Sequence, residues 1–342
     1  MKQINTKKSV LLIAIGLLSV GCSSNAPIGD RVLYGKKPLI VCKETHTYKH
    51  VGDLDIKADV FRFLDDRIRP VVVFIHGGAL MFDNREWLNS LAHQISIERG
   101  NVLISIDYRL APETKIQEIA EDVEDAIDWV RRTGPKKFNV DPNQIVVMGV
   151  SAGGYLALLC GHRVTPPPVA IVSFCGYCEL IGDWISSPQT SSYWNPRKYT
   201  EEEALNCIDP EGPAVTSRKY CAEFEYYCMQ TGQYVQYVSG FDPKVEPENL
   251  FPFMPLRNIS PAFPPTILIH GDADPDVPFE QAQLMADELD KHNVPHELVR
   301  VKGGTHDGFE SIKPKDRADA YDRVVEFVLQ RLTNLDPNLN PN

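Results

Sequence analysis

The chain has 342 residues, of which 43% are hydrophobic and 24% charged. That balance suits one large globular domain with insertions and excludes disordered, collagen-like and coiled-coil classes. The formal net charge of -11 repels phosphate backbones, so no nucleic-acid partner is expected and strongly anionic substrates are disfavoured.

In chain order, Lys2, Lys7 and Lys8 precede an apolar run from Val10 to Val20 that is interrupted only by Gly16 and Ser19. The run is shorter than the ~20 residues of a membrane span and, behind a basic flank, reads as a signal peptide. It ends in Leu18-Ser19-Val20-Gly21-Cys22, followed by Ser23-Ser24-Asn25. This resembles a bacterial lipobox, with Cys22 as the lipidation site, although the usual leucine stands one residue nearer the cysteine than Leu18 does. The resemblance implies a signal peptide over 1–21, a tether over 22–42 and an exported lipoprotein held at a lipid membrane of the cell envelope. Export permits disulfides, and the seven cysteines besides Cys22 are an odd number that cannot all pair within the chain.

The remaining chain reads as one domain over 43–334 and a short tail over 335–342. Thr45–Val51 and Asp55–Phe61 flank Gly52-Asp53, the pattern of an antiparallel hairpin. Short apolar, β-branched runs follow at Val71–Ile75, Val102–Ile106, Ile145–Met148, Val169–Phe174, Thr266–Ile269 and Glu297–Val301. Such runs predict parallel strands covered on both faces. Three-four spacing between them, at Ile116, Ile119, Val123, Ile127 and Val130 and again at Tyr321, Val324 and Val328, predicts helices. Alternation of the two predicts an α/β fold, a mostly parallel, doubly wound sheet. The aromatic- and cysteine-rich stretch of about 176–262 breaks the rhythm and is expected to be a cap, its rings mainly forming the cap's own core and some lining a pocket. Cys175-Gly176-Tyr177-Cys178 has redox or zinc spacing, yet no second ligand pair lies near it, so packing or a disulfide is expected.

Gly149-Val150-Ser151-Ala152-Gly153 lies between a strand and a helical pattern, the setting of a G-x-S-x-G nucleophile elbow. The turn is so tight that side chains at Gly149 and Gly153 would meet backbone, and it lifts Ser151 to the end of its strand. A serine needs a base, and His306 stands in a glycine-rich loop, Gly303 to Phe309, after the last strand. The base needs an acid to hold its tautomer, and Asp272, Asp274 and Asp276 are all available after the strand ending at Ile269. Acyl transfer needs amide donors for the developing oxyanion. His76-Gly77-Gly78-Ala79 follows the Val71–Ile75 strand and offers the amides of Gly78 and Ala79 beside that of Ala152.

These motifs, with Asp107-Tyr108-Arg109-Leu110-Ala111-Pro112-Glu113, resemble the hormone-sensitive-lipase-like esterases of the α/β-hydrolase superfamily and related bacterial acetyl- and feruloyl-esterase-type enzymes. The likeness covers about residues 45–332 and is weak through 176–262. It implies an α/β-hydrolase fold, a serine carboxylesterase activity on small acyl or carbohydrate-linked esters, and Asp274 as the acid of a Ser151, Asp274, His306 triad. It also implies that the Asp107 to Glu113 segment braces the oxyanion loop. Ala79 departs from the third glycine of many members, which bears on the shape of the acyl pocket. No cofactor is implied, and no metal, since ligand spacing such as H-E-x-x-H is missing. Two other readings are a serine exopeptidase of the prolyl-peptidase-like type and a non-catalytic binding protein on the same fold.

Overall fold

The apolar runs of the sequence form the centre of one nine-stranded sheet, in a computed structural model that describes residues 29–34, 37–306 and 308–332. Cys22, the leader-like segment before it and the 335–342 tail lie outside the described residues. The strands are β1 (Gly29–Tyr34), β2 (Lys37–Val51), β3 (Leu54–Phe63), β4 (Arg69–Ile75), β5 (Val102–Ile106), β6 (Val140–Val150), β7 (Ala170–Phe174), β8 (Thr266–Gly271) and β9 (His296–Val301), in the spatial order β1-β2-β3-β5-β4-β6-β7-β8-β9. Pairing is parallel from β5 through β9 and antiparallel among β1, β2, β3 and β5. The expected hairpin closes at Val51↔Leu54, with Gly52 at φ +56°, a conformation that glycine adopts without strain. One expectation changes here. Part of the 22–42 segment read as a tether is strand, because β1 pairs with the edge that β2 would otherwise leave open.

Nine helices are described: α1 (Ser90–Ile95), α2 (Ile116–Lys137), α3 (Ala152–Arg163), α4 (Asp183–Ser186), α5 (Glu201–Leu205), α6 (Ala222–Thr231), α7 (Tyr234–Ser239), α8 (Glu280–Lys291) and α9 (Pro314–Leu329). The period of two along each strand divides the core between the faces. Val71, Val73 and Ile75 join the apolar cluster beneath α2, α3 and α8, while Val72 and Phe74 join the cluster beneath α1 and α9. Every residue of β4, β5, β7 and β8 is buried, which is why these strands read as unbroken apolar runs.

Between β7 and β8 the chain leaves the sheet and builds α4 to α7 and two short 3-10 helices, Pro247–Phe253 and Pro255–Arg257. Phe224, Cys228, Tyr234, Val235 and Leu250 of this insertion belong to the same cluster as the α2/α3 face. The insertion is therefore packed onto the sheet domain through a shared core. Cys207 and Cys221 form a disulfide within it, whereas Cys175 and Cys178 are buried free thiols. Among the described residues no helix is long and apolar enough to cross a membrane.

Candidate active site

Strand β6 and helix α3 are joined by one residue, Ser151, at φ 55° and ψ -123°. A side-chain-bearing residue in that region carries about 1–3 kcal/mol of strain, which the surrounding close contacts impose. A Cβ on Gly149 would lie 1.9 Å from the Gly153 carbonyl oxygen, and one on Gly153 would lie 2.2 Å from that of Ile75. The Ser151 amide is held by the Phe174 carbonyl at 2.8 Å, and Ala152 opens α3 with an N–H that has no acceptor inside the helix.

The loop after β4 is braced from three sides. Gly78 lies at φ +91° with its carbonyl accepting the amides of Met81 and Phe82, both at 2.8 Å. A Cβ there would meet the Phe82 carbonyl oxygen at 2.4 Å, so only glycine fits. Ala79 follows at φ 53°. Tyr108 donates to the carbonyls of His76 and Gly77, and its ring stacks on His76 at 4.3 Å. Burial drives the His76 pKa down to about 4, so this imidazole is neutral. Asp107 holds Arg85 by a side-chain ion pair at 2.7 Å, and Arg218 bonds Glu113 and the carbonyls of Met81 and Ala111. From the insertion, Tyr234 donates to the Ala79 carbonyl at 3.0 Å and has Tyr177 within hydrogen-bond reach at 3.3 Å. The carbonyls of the loop are thus engaged, and the Gly78 and Ala79 amides make no hydrogen bond among the described residues.

Of the three aspartates open to sequence reasoning, only Asp274 bonds to Nδ1 of His306, at 2.7 Å. Its other oxygen accepts the amides of Asp276 and Val277 at 2.9 and 3.0 Å, while His270 Nε2 stands 3.3 Å from the same oxygen that His306 uses. Burial alone would raise the Asp274 pKa, but the hydrogen bonds of His270 and His306 and their charges outweigh it and hold the carboxyl well below its usual range. Asp272 instead ties the β8 and β9 ends together, through Gly303 N at 2.6 Å and Arg300 at 2.9 Å. Burial would lower the His306 pKa, yet the charge of Asp276, the bond to Asp274 and a further bond to the Cys175 thiol lift it well above its ordinary value.

The structure brings Ser151, His306, Gly78 and Ala79 to one cavity of about 930 Å³. The serine and the histidine expected as its base make no hydrogen bond: the serine hydroxyl has no partner among the described residues, and Nε2 of His306 stands 3.5 Å from Asp276. Tyr177, Trp184, Tyr193, Trp194, Tyr220 and Tyr234 wall the cavity, and Tyr177, Trp194 and Tyr234 among them also belong to the buried core. Its charged lining is Asp83, Glu225, Asp276 and Glu310 against Arg317. Glu225 is pushed up to about 7, first by burial and then by the charge of Asp276. Sequence reasoning missed Glu225 altogether, since nothing local separates it from a surface glutamate of α6. It also missed that Cys175 lies against the imidazole. Ligand atoms of Cys175, Asp274 and His306 fall within 4.8 Å of one another, but burial pushes the thiol up to about 11, so it is a neutral S–H and a poor metal donor.

The chain as a whole is similar to known proteins. The BD-FAE family model matches residues 63–289. The chain is 30% identical over 307 residues to a non-reducing polyketide synthase, atr1, of Stereocaulon alpinum, covering 80% of this chain and 12% of that protein. It thus spans about an eighth of the length of that much longer relative. A protein with unknown function from Staphylococcus aureus subsp. aureus Mu50 superposes with a TM-score of 0.67 at 23% identity, over 84% of this chain and 98% of that one. The Pyrobaculum calidifontis esterase does so with a TM-score of 0.60 at 25% identity, over 84% of each chain.

Proposed function

Because the chain belongs to the BD-FAE family and has the α/β-hydrolase fold, we propose that it is a serine carboxylesterase acting on short acyl esters, with acetyl- or feruloyl-type carbohydrate esters as the substrate class. The observation that carries this reading is the shared cavity, in which a serine held in strained backbone, a carboxylate-bound imidazole and two unengaged amides meet. In the reaction, Ser151 Oγ attacks the ester carbonyl while His306 takes its proton. The amides of Gly78, Ala79 and Ala152 receive the oxyanion, and the alcohol leaves with the proton returned by His306. Water then reverses these roles, releasing the acid and restoring Ser151. The ring-lined cavity suits a flat aryl acyl group or a sugar face, and its excess of carboxylates disfavours anionic substrates.

The test is turnover of p-nitrophenyl acetate, a feruloyl ester and a prolyl p-nitroanilide by the wild type and by Ser151→Ala. Ester turnover that vanishes in Ser151→Ala supports the assignment. Cleavage of the anilide alone transfers it to a serine exopeptidase. We also propose that the chain is exported and lipid-anchored at Cys22, supported by the basic flank, the apolar run and the lipobox-like residues. Metabolic labelling with an alkynyl fatty acid, lost in Cys22→Ser, checks it.

A further inference from the structure

The loop that supplies Asp274 supplies a second carboxylate to the same imidazole. Asp274 Oδ1 accepts the amides of Asp276 and Val277, which curls the chain back around the Asp274 side chain. This local turn carries the Asp276 side chain to the opposite edge of the ring. His306 therefore lies between two carboxylates, with Nδ1 2.7 Å from Asp274 and Nε2 3.5 Å from Asp276. A ring nitrogen facing a carboxylate is favoured as an N–H, and two such nitrogens favour the doubly protonated ring. An imidazolium has no lone pair for the Ser151 proton, and Ser151 makes no bond to it here.

We propose that Asp276 is a positioning residue that occupies Nε2 of His306 in the free enzyme, keeps the imidazole charged, and yields that nitrogen to Ser151 when a substrate fills the cavity. The inference rests on the ester-hydrolase reading for what Ser151 then does. The proton count is simple: as Asp276 moves off, still ionised, imidazolium loses one proton to solvent and becomes the neutral base. Asp276 and Ser151 line the same cavity, so an occupant there competes with the Asp276 carboxylate for the space at the ring edge. Among the described residues, further titratable groups surround the ring. His270 lies behind Asp274 on β8, Cys175 follows β7, and Glu225 faces in from α6. Asp83, Glu310 and Arg317 line the same cavity. Of these, only Asp276 stands at Nε2.

The first readout is the pH profile of kcat/KM on p-nitrophenyl acetate, whose acid limb reports proton loss from the free enzyme. Asp276→Asn keeps the side chain's shape and removes its charge, so the limb is expected to move about one pH unit toward acid. A limb at the same pH in both proteins overturns the proposal, because a merely structural role leaves the limb where it is. The second readout is the nitrogen NMR spectrum of the wild-type histidines, with His306 assigned from the resonance missing in His306→Gln. A doubly protonated His306 ring at pH 7 is expected, and a neutral ring overturns the proposal even if Asp276→Asn does not fold. If wild type hydrolyses no ester but its ring is charged at pH 7 and neutral in Asp276→Asn, the ester reading fails and the carboxylate clamp stands.

Discussion

The bond between Tyr234 and the Ala79 carbonyl joins the inserted helices to the loop that offers the oxyanion donors, so Tyr234→Phe probes whether the insertion supports catalysis. The substitution removes one oxygen and leaves the ring, which is buried, in place. It takes the 3.0 Å donor from Ala79 and the 3.3 Å partner from the Tyr177 hydroxyl. Loss of one such bond costs about 1 kcal/mol, and an orphaned carbonyl adds on the order of 1–2 kcal/mol. The ceiling on the catalytic effect is the loss of one whole oxyanion donor, about 3 kcal/mol. A loosened amide is worth less than a deleted one, so we expect kcat on p-nitrophenyl acetate to fall roughly tenfold, about 1.4 kcal/mol, with KM changing less than twofold. The split follows because the donors bind the charged oxygen of the transition state more strongly than the ester carbonyl. Tyr155→Phe is the control: it deletes a hydroxyl bonded to Phe253 at 2.7 Å, keeps the ring stacked on Tyr177 and leaves the Tyr234–Ala79 bond in place, and should lower denaturant stability without the fall in kcat. Equal kcat in wild type and Tyr234→Phe, with stability reduced, would show that the bond only fastens the insertion.

Gly149→Ala sets a Cβ 1.9 Å from the Gly153 carbonyl, a contact that no side-chain rotation relieves, and is expected to abolish soluble expression or fluorophosphonate labelling of Ser151; a labelled, folded variant refutes the elbow geometry. Glu225 has an ordinary value of 4.5 and is pushed up to about 7, so the folded state binds its proton more tightly than the unfolded chain does. Its contribution favours folding at pH below 4.5 and is lost as pH rises through about 7. Glu225→Gln should therefore raise stability at pH 8, on the order of 2 kcal/mol, and change it little at pH 4, measured by urea unfolding at both. Equal effects at the two values refute the buried-charge account. Asp274 has the opposite sign: a carboxyl held below its ordinary 3.8 stabilises the fold above that value and withdraws support as pH falls further, so Asp274→Asn should flatten the acid side of the stability curve.

Much of the frame was legible because its causes are local. Strands β4, β5, β7 and β8 are buried on both faces, which demands unbroken apolar runs, and the Gly52-Asp53 hairpin needs only its own two strands. Helix α8 escaped notice, though Ala282, Met285, Ala286 and Leu289 follow helical spacing, because two small alanines give a faint apolar signal. The elbow was legible for a stricter reason: contact between Gly149 and Gly153 admits no side chain, so tight backbone packing writes itself into residue identity. The choice among Asp272, Asp274 and Asp276 was not written there. All three sit in one turn with the same chemistry, and only the approach of β9 and its following loop puts His306 Nδ1 against Asp274, His306 Nε2 near Asp276 and Arg300 against Asp272. Likewise, which rings of the insertion line the cavity, the place of Glu225 in the same cavity as His306 and the bond from Tyr234 to Ala79 join segments many residues apart. Steric and burial demands act on each residue where it stands and so mark the chain, whereas the meeting of distant side chains depends on how whole elements pack, and that is decided in three dimensions.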